Sequence, residues 1–177
     1  MKDFRDSSAG LPLAVAGASP PTPRWATLIA TFFGIGRLRP GPGTWGSVAT
    51  VLLWVALARA ISPALRTPLA IALAVLITMI GIPAATRVAR SAGKKDPQFV
   101  VIDEVAGQLV ALIGVPLTWK CFLASFILFR AFDIVKPPPV RQLEAIPEGT
   151  GIVLDDIAAG LLALIVVHLF LQFGLLR

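Results

Sequence analysis

Four of the chain's ten acidic residues stand as two adjacent pairs, Asp103-Glu104 and Asp155-Asp156, each at the head of a long apolar stretch. Carboxylates are costly beside hydrocarbon, so acids in such places serve a cation or a reaction. Two further stretches carry polar chemistry: the run Arg130-Ala131-Phe132-Asp133-Ile134-Val135-Lys136-Pro137 and the turn Pro42-Gly43-Thr44-Trp45-Gly46-Ser47. Together they describe a divalent-metal site for a phosphate, held at one edge of a small membrane helix bundle.

Hard cations such as Mg²⁺ take oxygen ligands, commonly one or two carboxylates with water and substrate phosphate. Neighbours on a helix point about 100° apart, so one member of each pair can face the bundle interior. The structural alternative is capping, in which an acid in the first turn satisfies free N–H groups and complements the helix dipole. Capping accounts for one acid per helix, but poorly for two doubled acids and Asp133. Arg130, Asp133 and Lys136 are spaced by three and can share a face. They could form an intrahelical ion-pair ladder. On the functional reading, Asp133 is a metal ligand or nucleophile, and Arg130 and Lys136 contact phosphate. Pro137, Pro138 and Pro139 then end the helix.

In the turn, Gly43 and Gly46 permit a tight bend and close approach by a ligand. A helix amino terminus attracts phosphate, and Thr44 and Ser47 could add hydroxyl donors. An ordinary capped turn fits the spacing as well. It is not a Walker loop, because no lysine follows the last glycine. Gln108, four residues after Glu104, could orient water or make an interhelical contact. His168, the single histidine, reads as a helix–helix hydrogen-bonding residue rather than a ligand. Cys121 stands alone, which excludes an intrachain disulfide and fits a small buried hydrophobe.

The elements that must position these residues are apolar. The 177 residues suit one domain, 56% are hydrophobic and only 15% charged. Mean hydropathy is +0.81. A soluble domain carries about a quarter charged residues, so the excess apolar surface needs lipid. The net charge of +6 does not point to nucleic acid, since the basic residues lie between apolar segments. That placement fits anionic headgroups and membrane orientation.

No charge occurs between Arg39 and Arg59, between Arg66 and Arg87, or between Asp156 and Arg177. Each window has roughly the 20 residues a helix needs to cross the hydrocarbon core. Val105 to Trp119 and Cys121 to Val135 read as a shorter helical hairpin, with tilt, bilayer thinning and re-entrance all open. The expected fold is all-α, a small integral-membrane bundle with about five membrane-embedded helices. Trp25, Trp45 and Trp119 fall near its interfaces, and Trp54 faces lipid or packs inside. Residues 1–24 read as a disordered tail, without a signal peptide's pattern, and 25–177 as the membrane domain.

Arg24, Arg37, Arg39, Arg87, Arg90, Lys94, Lys95, Lys136 and Arg141 bias one set of loops. The positive-inside rule puts those loops and the amino terminus in the cytoplasm, with Arg177 on the far side. All four polar motifs then fall at the cytoplasmic edge, as a composite site requires. A faint echo joins two of them. Asp103-Glu104-Val105-Ala106-Gly107 resembles Asp155-Asp156-Ile157-Ala158-Ala159-Gly160, each with a small residue one turn below the acids.

The four motifs, in order from about residue 30 to residue 170, resemble those of the phosphatidylglycerophosphatase A family. They are Pro42 to Ser47, Ile102 to Gln108, Phe129 to Pro137, and Gly151 to Gly160. The resemblance implies an all-helical, Mg²⁺-dependent enzyme of the bacterial inner membrane. Such an enzyme removes the terminal phosphate of phosphatidylglycerophosphate and leaves phosphatidylglycerol. It implies Asp103, Glu104, Asp133, Asp155 and Asp156 as metal positions. Asp103, Glu104, Asp133, Lys136 and Asp156 become the catalytic set, and Thr44, Gly46, Ser47, Arg130 and Lys136 the phosphate contacts. Asp96 is a weaker match to an upstream acid. Thr150, Val153 and Pro138 stand where the resemblance leads one to expect Gly, Met and Trp, and none of these departures removes a carboxylate.

The nucleophile is open between a water on the metal and an aspartate. The oligomeric state is open too, a homo-oligomer included. Two rival readings fit the residues less well. A CDP-alcohol-type phosphotransferase needs a denser acid motif than this chain carries. A small cation transporter places its acids near the midplane, whereas these read as lying at helix starts.

Overall fold

The computed structural model describes residues 22–176. The tail expected over 1–24 therefore lies outside the described residues as far as position 21, and Arg24 already opens a helix. Every regular element among the described residues is helical. Helix α1 is Arg24–Ala30, followed by a 3₁₀ turn at Ile35–Arg37; α2 is Pro42–Ala60, α3 Pro63–Ala92 and α4 Ile102–Ala111. Then come α5 at Trp119–Val135, the short α6 at Val140–Glu144, and α7 at Glu148–Gln172.

Three helices, α2, α3 and α7, are long and apolar enough to cross a membrane. Leu52, Leu53, Val75, Leu76, Met79, Ile165 and Leu169 stand exposed along them, a lipid-facing surface. The expected hairpin differs. Helix α5 has 17 residues, about 25 Å, and α4 only ten, about 15 Å, against a core of roughly 30 Å. Apart from Glu104, every residue of α4 is buried. It is the central post of the bundle, surrounded by α2, α3, α5 and α7. The chain still reaches the far end after α4. A Cβ on Gly114 would lie 3.3 Å from His168 Nε2, near the end of α7, and 3.9 Å from Thr67 Oγ1, near the start of α3.

Small residues let these helices touch. A Cβ on Gly46 of α2 would come within 3.1 Å of Val101, and one on Gly81 of α3 within 3.2 Å of Ile102. Helices α4 and α7 meet at Gly107 and Gly160. Close approach through small residues replaces the hydrophobic drive that lipid cannot supply. Trp54 is buried, while Trp25, Trp45 and Trp119 are exposed near helix ends. Cys121 is buried. His168 Nδ1 sits 2.9 Å from the Leu164 carbonyl oxygen of its own helix, so this contact is not between helices.

Candidate active site

The start of α2, the end of α3, the start of α4, the end of α5 and the first turns of α7 come together at one end of the bundle. There, Asp103, Glu104, Asp133, Lys136, Asp155 and Asp156 line one small cavity of about 70 Å³. Lys95, Asp96 and Glu144 join them in its wall.

The inner layer is three carboxylates. Asp103 and Glu104 occupy the first turn of α4, but Val101 is its N-cap and no side chain caps it. Asp155 and Asp156 do not stand at a helix start, as the sequence suggested. Helix α7 begins at Glu148, so they lie two turns inside it and cannot be capping residues. One carboxylate oxygen from each of Asp103, Glu104 and Asp156 lies within 4.8 Å of the others. Asp103 Oδ1, Glu104 Oε2 and Asp156 Oδ2 are buried with no hydrogen-bond partner. Three like charges held this close, with Arg130 the one cation paired with them among the described residues, oppose one another unless a further cation or protons intervene. These three residues could hold a metal ion.

The outer layer is two cations, each set between two carboxylates. Arg130 Nη1 lies 2.5 Å from Asp133 Oδ2 and 3.6 Å from Glu104 Oε1. Lys136 Nζ lies 2.7 Å from Asp155 Oδ2 and 3.1 Å from Glu144 Oε1. The sequence-level ladder is thus half present, since Arg130 pairs with Asp133 but Lys136 turns away to α7. It does so because it caps α5 in the left-handed region, with φ 49°. Burial disfavours the Lys136 ammonium charge, but Asp155 and Glu144 outweigh it and raise the group above its ordinary range. Desolvation against the cavity wall pushes the Asp96 carboxyl up, while Lys136 pulls the other way.

The Pro42–Ser47 turn shapes the site more than it lines it. A Cβ on Gly43 would collide with the Glu104 carboxylate and come within 3.2 Å of Arg130 Nη1. Ser47 is fully buried and donates to the Gly43 carbonyl at 3.0 Å. Gly46 packs on Val101, and Thr44 is exposed. None of Thr44, Gly46 and Ser47 is among the residues that line the cavity. Gln108 is fully buried beneath Glu104, and both ends of its amide lack a partner. Nothing in the sequence marks Lys95 or Glu144 as part of the site. Lys95 reads as an orientation charge, and Glu144 reaches Lys136 only because Pro137–Pro139 turn the chain back.

The family model for phosphatidylglycerophosphatase A matches residues 28–171, most of the chain and every helix that shapes the cavity. The chain belongs to that family. By membership it is a phosphatase, and with three apolar helices it is a membrane protein. A phosphatidylglycerophosphatase A of Haemophilus influenzae is 37% identical over 142 residues, covering 79% of this chain and 85% of its own. That of Escherichia coli is 33% identical over 142 residues, 77% of each chain. A Bacteroides thetaiotaomicron protein provisionally named phosphatidylinositol-3-phosphatase is 38% identical over 143 residues, covering 79% of this chain and 89% of its own. No solved structure matches the chain.

Proposed function

We propose that this member of the family hydrolyses the terminal phosphate of phosphatidylglycerophosphate to give phosphatidylglycerol and phosphate, with Mg²⁺ held by Asp103, Glu104 and Asp156. The observation that carries this reading is the convergence of three carboxylates, each of which also has a buried oxygen without a hydrogen-bond partner. An all-oxygen donor set without Cys or His suits a small hard cation. Seven acidic residues against two lysines line the cavity, so a phosphate dianion would be repelled without that cation. The ion, when bound, supplies charge neutralisation at the phosphoryl oxygens.

The chain's own residues do the rest. Arg130, fixed by Asp133, presents its guanidinium at the edge of the carboxylate cluster, and Lys136, fixed by Asp155 and Glu144, presents an ammonium. Lys136 lines the cavity, and Arg130 stands behind Glu104 and Asp133 outside its lining; these positions support a role for both in countering negative charge as the ester bond breaks. The reaction exchanges the P–O bond to the glycerol for one to water's oxygen, and the leaving alcohol takes a proton. Asp133 lies in the cavity wall and could hold the attacking group or act as it. The positive-inside bias puts this end of the bundle, and the amino terminus, on the cytoplasmic side of a bacterial inner membrane.

A second reading has one observation behind it, the name of the Bacteroides relative. On that reading, the phosphomonoester is carried on an inositol ring. The test is phosphate release by detergent-solubilised protein from both lipids, with EDTA and with Mg²⁺ restored. Faster release from phosphatidylglycerophosphate, abolished by EDTA, is expected. A preference for phosphatidylinositol 3-phosphate would select the second reading, and release that survives chelation would remove the metal.

A further inference from the structure

A groove of about 810 Å³ opens beside the catalytic cavity, walled by α1 and the turn after it, the start of α2, the end of α3 and residues 94–99. Arg37, Arg39 and Lys94 line it. All three are exposed, and none is ion-paired with a carboxylate among the described residues. The groove and the cavity share one wall residue, Asp96. At that wall, the chain turns Lys94 to the groove, Lys95 to the cavity and Asp96 to both.

The groove's depth in the membrane follows from its neighbours. Trp25, Leu28, Phe33 and Leu38 are exposed on α1 and the turn after it. Arg87 of α3 lies over the Trp25 ring, 4.9 Å from its centroid, and ties α1 down. Exposed indole and aliphatic groups beside cations mark a segment at the lipid–water interface. The groove therefore opens where phospholipid headgroups lie.

Size separates the two spaces. At about 10–15 Å³ per water, the cavity's 70 Å³ holds a handful of waters, the bulk of a phosphoryl group and its ion. A lipid whose terminal phosphate fills the cavity must keep the rest of its headgroup outside, and the way past Asp96 leads into the basic groove. Arginine forks match phosphate oxygens in pairs, which a lone ammonium does not.

We propose that Arg37, Arg39 and Lys94 bind the second phosphate of the substrate, the phosphodiester that joins the diacylglycerol to the headgroup. The groove thereby selects lipids that carry both a diester and a terminal phosphate. This rests on the reading of the cavity as a lipid phosphomonoesterase site.

The test uses the full chain in neutral mixed micelles with Mg²⁺, comparing the wild type with the triple variant Arg37→Gln/Arg39→Gln/Lys94→Gln. KM for phosphatidylglycerophosphate is expected to rise about tenfold or more, with kcat within about threefold. Phosphatidylglycerol carries the diester alone, and its inhibition should weaken by a similar factor. Unchanged KM and unchanged inhibition would overturn the proposal, as would a fall in kcat at constant KM. Inhibition by oleate, an anionic lipid without phosphate, that weakens just as much would make the groove a general anionic surface and also overturn it. Should the triple variant fail to fold, Lys94→Gln and Arg39→Gln singly carry the same comparison at about threefold each. If wild-type protein releases no phosphate from the lipid, the proposed function fails, while binding of phosphatidylglycerol to wild type and variant still reads the groove.

Discussion

A methyl group placed on Gly160 would overlap the carbonyl oxygen of Gly107. Helices α4 and α7 thus cross with their backbones in contact, at equivalent places in two similar motifs. Gly107 lies four residues after Asp103, and Gly160 four after Asp156. One turn above the crossing, the same register brings these two carboxylates into one cluster with Glu104. Gly160→Ala should therefore loosen both the fold and the site. A loss of about 1–3 kcal/mol is expected, as for overpacking elsewhere. Cys121 is buried, so a thiol-reactive dye reports unfolding on heating. A Tm equal to that of the wild type would show that the crossing is not tight.

Asp156→Asn should separate activity from stability. It removes one charge from three that repel, so the apo protein should be at least as stable as the wild type. Turnover should fall by about a thousandfold or more if the ligand set is that of a metal enzyme. Phosphate release and dye-monitored melting on the same preparation check both halves. Asp133→Asn should likewise abolish most turnover in a protein that still folds.

Divalent ion should stabilise what it binds. Mg²⁺ at about a hundred times its Kd adds roughly 2.7 kcal/mol through mass action. Melting of the wild type should shift upward with Mg²⁺ and back with EDTA, and Asp156→Asn should show little shift. Equal shifts in both proteins would place the ion elsewhere.

Gly43→Ala is the change that reaches Glu104 without touching it chemically. Its Cβ would press on the Glu104 carboxylate, the end of a flexible side chain that can move aside. The fold should survive with a change of under about 1 kcal/mol, while activity falls about tenfold or more as the ligand is displaced. Retained activity would mean that Glu104 is not held in place by the α2 turn.

Lys136→Ala should cost stability as well as rate. It leaves Asp155, whose side chain is 4% exposed, without its cation. Breaking a buried pair in this way costs about 3–5 kcal/mol. Asp155→Asn in the same chain should restore most of it, and a double-mutant cycle measures the coupling. Additive losses would show that the pair is not coupled.

The sequence by itself determined the membrane class, the three long apolar helices and the identity of the acids. Those follow from composition and period, which are local and additive along the chain. The echo of acids and glycines in α4 and α7 was legible too, but not that the two glycines face each other. The tertiary structure decided what depends on which helix ends meet. It made α4 a buried post too short to cross, because its neighbours enclose it on every side. It set Asp155-Asp156 two turns inside α7, because Pro147 and Glu148 start the helix upstream of the apolar run. It sent Lys136 to Asp155 rather than to Asp133, because a left-handed cap ends α5 at that residue. It gave Ser47 and Gly46 to packing, because α2 is pressed against Val101. Hydrogen-bond partners and distances between helices are long-range quantities, and no spacing within one helix contains them.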